Sequence, residues 1–539
     1  MEPAASWAPS RDRQFATVAR SATAQYVALV VDMAIGLATL PLNLAYLGKA
    51  SYGLWVLLGS LTTHFSLFDL GFSGATVKFV AQYRARTDRQ ALNEIASTIF
   101  FTFAVIGLVA YAAIAIVSLH LDALFAISPE QAELGRSLLL IIGLQIALNF
   151  PFSVFGAVVA GFQRHDINSV AAIVASVATA AVNIALLLGG YGLVAIVSGT
   201  TTVRMLAFLA YRANAYRVYP ELQIRPGLVR GARLREITGF SIYASIIDWA
   251  NRLNYQIDAI IIGVFLGTPA VAVWAPAERI ISATQRLTNQ VNGILFPMIV
   301  DSDAASQRHR LQEILVQGTR FSLGFVVAIA TALVVLADPL IRAWLGPRAN
   351  EVAGAVPVLQ ILALAVAVRV GGATGTTILK GAGQHRTLAF VNLATGLVNV
   401  VLSALLIRRF GLVGVAYGTL IPIAVATFAI LWPAACRRVG LPIGVAVRRA
   451  VVPALWPVLP AAAALLAMRG WMPATVSGVL FEAGLAVLIY AAVFVGVAVG
   501  RQDRSLYLSK VREFLGRGPK EPGTPAVAPR VPPVVAGGR

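Results

Sequence analysis

Cysteine and histidine are scarce, and each absence closes off a class of chemistry. The single cysteine, Cys436, excludes an intramolecular disulfide framework and a multi-cysteine metal site. The histidines, His64, His120, His165, His309 and His385, are scattered without metal-ligand spacing. No P-loop, no H-E-x-x-H and no G-x-S-x-G in a plausible setting occurs. LGKAS at 47–51 has a Gly-Lys pair but lacks the upstream glycines. The sequence therefore encodes no ATP-driven step, no catalytic residue and no cofactor site. Charge is scarce too. Asp, Glu, Lys and Arg make up 12% of the chain, about half the share usual in a soluble protein. What charge there is leans basic, with 43 Lys and Arg against 24 Asp and Glu, a net charge of +19. No nucleic-acid motif accompanies it, so no nucleic-acid partner is expected. Lys and Arg gathered in the cytoplasmic loops of a membrane protein account for the excess.

Apolar residues dominate instead: 58% of the 539 residues, with a mean hydropathy of +0.77. Apolar stretches of about 20 residues recur from end to end, long enough to cross a bilayer as helices. They are too long and too rich in Leu, Ala and Gly for the alternating strands of an outer-membrane barrel. The expected fold is an all-α polytopic membrane protein with about 14 transmembrane helices. They lie near 21–47, 52–77, 93–120, 137–162, 168–189, 191–212, 237–266, 270–299, 317–345, 353–379, 386–407, 411–434, 449–468 and 476–499. The first follows Arg11, Arg13 and Arg20, is long and lacks a small-residue cleavage site, so it reads as a retained span.

An even count puts both termini on one side. Basic residues mark the N-terminal tail, Arg84–Arg89, the connection Arg212–Glu236, Arg437–Arg449 and the C-terminal tail. Asp122–Glu133, Gly189–Gly192 and Gly267–Ala270 are acidic or uncharged. Both termini are therefore expected in the cytoplasm. Lys49, Arg348 and Arg469 are lone outside charges; the pair Arg408–Arg409 means either that the eleventh span ends earlier or that this outer loop is basic. Trp55, Trp274, Trp344 and Trp471 sit near span ends and read as an interfacial belt. From 518 onward the tail is Pro/Gly-rich and unsuited to folding.

The chain repeats itself. LGKASYGLW at 47–55 matches LGTPAVAVW at 266–274, and Gly192-Leu193-Val194 matches Gly411-Leu412-Val413, both at a spacing of 219. Nearby offsets relate Leu144-Gln145-Ile146 to Leu359-Gln360-Ile361, and AGFQR at 160–164 to AGQHR at 382–386. The reading is a tail (1–19), a first six-helix lobe (20–215), a basic linker (216–236) and a second six-helix lobe (237–438). Two additional helices (449–500) and a disordered tail (501–539) follow. Six is even, so the halves are parallel repeats, an arrangement that places substrate between them.

Charge inside the spans is the clearest site signal. Asp248, Asn251, Arg252, Tyr255 and Asp258 share one face of the seventh span; Arg279, Ser282, Arg286, Asn289 and Gln290 share one face of the eighth. Lipid will not solvate them, so they line a wet cavity or pair within the bundle. Asp248–Arg252 could neutralise itself at i,i+4, and Glu278 could reach another helix; Arg279 and Arg286 have no acid on their own face. Asp32 matches Asn251 at the repeat spacing, and Arg204, Arg320, Arg369 and Lys380 add positive charge elsewhere. A cationic, hydrated cavity suits an anionic substrate.

Asp69 also stands in an apolar stretch, FSLFDLGFSGATVKFVAQYRAR at 65–86. In a continuous helix from Tyr52 it lies about 25 Å down and Lys78 about 39 Å down, against a hydrocarbon of about 30 Å. Asp69 with Gly71 and Gly74 reads as a gate or hinge, the glycines allowing a bend or a close neighbour. Packing of Asp69 against a basic residue is the alternative.

Several stretches together resemble one family: LGKASYGLWVLLGSL at 47–61, FDLGFSGATVKFVAQYRA at 68–85, GFQR at 161–164, DAIIIGVFLG at 258–267, GQHR at 383–386 and RRFGLVGVAYGT at 408–419. The chain resembles, over about 20–500, the Wzx-like O-antigen flippases. They are the polysaccharide-transport branch of the multidrug/oligosaccharidyl-lipid/polysaccharide (MOP) flippase superfamily. The resemblance implies V-shaped six-helix lobes working by alternating access in the bacterial inner membrane. It implies transport of undecaprenyl-diphosphate-linked oligosaccharide to the periplasmic leaflet, with the arginines as diphosphate or acidic-sugar contacts. It further implies membrane lipids, a proton or sodium coupling cation, and polymerase or glycosyltransferases as partners. Three other readings compete: a cation-coupled drug exporter, which wants an acidic cavity; a peptidoglycan-precursor flippase; and a membrane glycosyltransferase, which needs a catalytic acid and a larger outer loop.

Overall fold

A helix rises 1.5 Å per residue, so about 20 residues cross the hydrocarbon. The computed structural model describes residues 11–238, 257–468, 471 and 475–498, which are helical without any strand. Ten helical stretches among them are long and apolar enough to cross a membrane. Two are too long for one crossing: Thr23–His64 has 42 residues and Arg386–Val439 has 54, about 63 and 81 Å if straight. Each is broken at a glycine, Gly48 (φ 72°, ψ 170°) and Gly411 (φ 56°, ψ −136°), so the ten stretches make twelve spans. Thr268–Ala304, which carries the arginine stripe, adds a thirteenth, and of the expected seventh span only the end, Asp258–Leu266, lies among the described residues.

The halves repeat in backbone at three turns, though not at the matched glycines Gly192 (φ −73°, ψ 174°) and Gly411. Gly48 and its repeat mate Gly267 (φ 77°, ψ −178°) adopt the same conformation, one open in practice only to glycine. The third and ninth spans follow the same turn: Thr87 (φ 55°) and Ser306 (φ 54°) are left-handed, each just before the next helix. So do the fifth and eleventh, after Gln163 (φ 63°) and Gly383 (φ 73°). The last pair corrects the alignment of AGFQR with AGQHR. Gln163 N and Arg164 N donate to Ala160 O and Val159 O, as Gly383 N and Gln384 N donate to Lys380 O and Leu379 O. Gly161 therefore pairs with Gly381, two residues from the register the letters suggested.

Packing divides the molecule unequally along its length. At the far end, where Gly48 and Gly267 lie, one buried apolar cluster runs through both halves and includes Leu54, Leu57, Ile262, Trp274 and Leu359. At the near end, where the chain enters its first span, each half has its own cluster: Phe79, Ile95 and Phe155 in the first, Leu315, Leu379 and Trp432 in the second. The chain leaving the first half is tied down. Asn93 Nδ2 donates to Glu221 O (3.1 Å) while its Oδ1 accepts from Gln223 N (3.0 Å). Ser97 and Thr98 hold Gln223, Arg225 and Arg230 in the same way. Arg233 donates to Tyr83 Oη (2.8 Å) and pairs with Glu94 and Glu236. Burial alone would weaken its hold on a proton, but Tyr83, Glu236 and Glu94 outweigh that and keep it above its ordinary value. The residues expected as a free linker thus form a strap on the first lobe, after a sixth span that runs on to Val218.

Several expectations change. The second span is not continuous: a 3-10 turn, Phe65–Asp69, and left-handed Leu70 (φ 50°) and Gly71 (φ 73°) separate it from helix Phe72–Ala85. Depths computed for Asp69 and Lys78 along a straight helix therefore do not apply. The interfacial belt also thins. Trp274 is buried in the core, and Trp344 Nε1 donates to Leu37 O (2.9 Å) across the lobes; Trp471 is exposed. The ninth span ends at Val335, with a separate helix Ala337–Leu345 behind it. Arg408 lies 5.4 Å from the centre of the Phe265 ring, two residues before Gly267. The eleventh span thus carries its arginines to the far end.

Candidate functional site

The first and eighth spans cross where the lobes meet. Arg286 Nη1 reaches Asp32 Oδ2 at 2.7 Å, with both side chains about half exposed (46% and 49%). One helical turn further along, the Arg279 guanidinium lies on Gly36, where an added Cβ would come within 1.5 Å of Nη2. Asp32 and Gly36 are i,i+4 and so share a face, which the arginine stripe covers. Arg204, on the sixth span, lies close enough to Asp32 for their charges to interact. Arg286 and Arg204 thus act on Asp32, while Arg279 lies within electrostatic reach of Glu278; three guanidiniums against two carboxyls leave the region cationic. Half-exposed pairs are worth about 0.2–1 kcal/mol, so the Arg286–Asp32 contact is a weak link between the lobes.

Further hydrogen bonds join the lobes toward the far end. Ala126 N donates to Gly263 O (3.2 Å), Thr268 Oγ1 to Gln131 Oε1 (3.3 Å) and Arg348 Nη2 to Ala45 O (3.3 Å). Gly53 touches the start of the eighth span so closely that a Cβ would sit 1.8 Å from Thr268 O. Its repeat mate, Ala272, is the next backbone it meets.

The other predicted residues fall in different places. Asp248, Asn251, Arg252 and Tyr255 lie outside the described residues, and so do the side chains of Asn289 and Gln290. Asp258 is buried inside the second lobe. Thr419 Oγ1 donates to its Oδ2 (3.1 Å), and its buried Oδ1 has no hydrogen-bond partner among the described residues. Glu278 and Arg369 lie within electrostatic reach of it. Thr419 is also 3.3 Å from Val415 O, which Ser403 Oγ approaches at 3.5 Å while contacting Asn399 Oδ1 at 3.0 Å. Asp69 accepts from Ser73 N (3.0 Å) and Ser73 Oγ (3.1 Å), tying the short turn to the helix that follows. Gly71 makes the bend; a Cβ at Gly74 would meet nothing. Arg320 is structural, donating to Arg449 O from Nε (2.8 Å) and Nη2 (2.6 Å). Gly36, Trp344 and Arg348 were not singled out as interlobe contacts. Asp32, a lone acid in an apolar span, was the available signal.

The family described as polysaccharide biosynthesis protein matches residues 46–353, more than half of the chain. The chain belongs to that family. Among curated proteins it is similar to the "Probable flippase AglR" of Haloferax volcanii, 25% identical over 417 residues, covering 75% of this chain and 81% of that one. A "Probable low-salt glycan biosynthesis flippase Agl15" of the same organism is 24% identical over 198 residues, 36% of this chain and 40% of that one. Among solved structures, "Lipid II flippase MurJ, inward closed conformation" superposes with a TM-score of 0.70 at 14% identity, covering 92% of this chain and 99% of that one. An inward-facing multidrug resistance MATE family transporter of the MOP superfamily gives 0.64 at 14% identity, covering 76% and 98%. The fold is that of the MOP superfamily. Family and fold together make the chain a polysaccharide biosynthesis protein with a MOP-type fold.

Proposed function

We propose that the protein carries a lipid-linked oligosaccharide with an anionic diphosphate across the bacterial cytoplasmic membrane by alternating access, with both termini cytoplasmic. The observation that carries this reading is Arg286 bound to Asp32 between the lobes, with Arg279 and Arg204 beside it. A diphosphate and a sugar chain cannot cross hydrocarbon unaided. In this reading the diphosphate takes the arginines from Asp32, loosening a bond between the lobes as it binds. A cationic cluster disfavours cationic drugs as cargo; a peptidoglycan precursor shares the diphosphate and remains the alternative. Coupling to a proton or sodium is assigned to the second lobe, where Asp258 has a buried oxygen with no partner among the described residues and oxygens of Thr419, Val415, Ser403 and Asn399 follow in a chain.

Replacing Arg279 and Arg286 together by Ala should abolish surface-glycan export while the protein still reaches the membrane. Glycan at the wild-type level in that double variant would sink the assignment. Asp32→Asn should keep the arginines available and retain export. Neighbouring genes for glycosyltransferases and a polymerase would favour a polysaccharide cargo over a peptidoglycan precursor.

A further inference from the structure

A second cationic site lies at the near end of the first lobe, away from the interlobe cluster. There the turn between the fourth and fifth spans and the end of the sixth enclose a cavity of about 480 Å³. It is lined by Phe162, Arg164, Ile167, Asn214, Arg217 and Val218, and its volume falls within the range of small-ligand sites. Arg164 Nε and Nη2 hold Asp166 at 3.0 and 3.3 Å, and Arg20 reaches the same carboxylate at 3.3 Å. Arg84 lies 5.5 Å from the centre of the Phe162 ring, which stacks on Tyr219 at 5.3 Å. Two arginines thus hold one carboxylate, with Arg84 on the aromatic side of the cavity. Arg217 makes no ion pair or hydrogen bond among the described residues. Asn214 adds an amide, and the rest of the lining is apolar.

Guanidiniums and an amide beside an apolar wall, at the end of membrane-spanning helices, match a phosphate joined to a hydrocarbon chain. The second lobe has Ala382 for Phe162 and Gln384 for Arg164 at the spacing of 220, and Pro433 for Asn214 and Cys436 for Arg217 at the spacing of 219 that pairs Glu221 with Gly440. None of these four is kept, and Arg437 stands opposite Val218. The pocket belongs to one lobe, whereas a general excess of basic residues would furnish both.

We infer that this cavity binds the phosphate of an anionic membrane lipid. The test places the full-length protein in phosphatidylcholine nanodiscs with and without phosphatidylglycerol and counts retained lipid by native mass spectrometry. Wild type should retain phosphatidylglycerol in preference. Arg217→Gln should lower that retention about tenfold, the effect of one lost charge-assisted contact. Arg437→Gln should leave it unchanged. Arg217 is chosen because Arg164 also holds Asp166. Equal retention by wild type and Arg217→Gln overturns the inference. A second arm adds inorganic phosphate to protein in phosphatidylcholine alone. A phosphate-dependent rise in Tm in wild type but not in Arg217→Gln would assign the pocket to free phosphate and overturn the lipid assignment; no rise supports it.

Discussion

In the first lobe the chain leaving the sixth span is held by Asn93, Ser97, Thr98 and a Tyr83–Arg233–Glu236 network. In the second lobe the chain leaving the twelfth is held by Gln312, whose Nε2 donates to Val439 O (2.9 Å) and Gly440 O (3.2 Å). Asn93 and Gln312 stand 219 residues apart, and so do Glu221 and Gly440. One position therefore does one job in both halves. The surroundings differ: Ser97 and Thr98 become Val316 and Gln317, and the second strand leads into two further spans. The difference shows how a repeat specialises: the backbone and one clamp are kept, while charge and secondary contacts diverge. The first lobe gained a strap and a cationic pocket at this end, the second a buried acid in its interior.

The comparison can be broken where the lobes touch. Gly53→Val drives a side chain into Thr268 O and should cost about 3 kcal/mol or more, with export lost. Gly74→Val in the same lobe points into open space and should change stability by less than about 0.5 kcal/mol. Equal Tm losses for the two variants would contradict the close crossing. The clamps come next. Asn93→Ala leaves Glu221 O and Gln223 N without their partner and should cost about 1–3 kcal/mol, against about 1 kcal/mol for Gln312→Ala, whose site is more open. Limited proteolysis within 219–236 should quicken in the first variant alone. The smallest effect separates the paired turns. Gln163→Gly relieves a left-handed conformation and should stabilise by about 0.5–1 kcal/mol, whereas Gly383→Gln should destabilise by a similar amount. Effects of the same sign in thermal melts would refute the shared turn geometry.

The all-α fold, its repeat and most span positions were legible because each rests on a local property, apolar length or a recurring glycine. The break at Leu70–Gly71 was not, since the stretch stays apolar and a single glycine inside a helix is tolerated. Trp344 passed for an interfacial anchor because its partner, Leu37 O, lies in the other lobe. Arg279 and Arg286 stood out by spacing alone. That Asp32 answers Arg286 and Gly36 makes room for Arg279 depends on two helices crossing, which no short window of sequence records. Asp258 was placed by helical face with the cavity residues, yet its helix end turns into the second lobe toward Thr419.

The matched backbone at Gly48 and Gly267, Thr87 and Ser306, and Gln163 and Gly383 bears on the protein's history. Duplicated halves drift apart in their letters, and here Thr faces Ser, Gln faces Gly, and Lys49 faces Thr268. The dihedral angles at the turns have not drifted with them. Saturation mutagenesis should record the same rule as tolerance: at Thr87, Gln163 and Ser306 glycine and asparagine pass with most other residues, while Gly48 and Gly267 accept nothing else. Inheritance at these points acts on chain direction, and the side chain is free to change wherever more than one residue can make the turn.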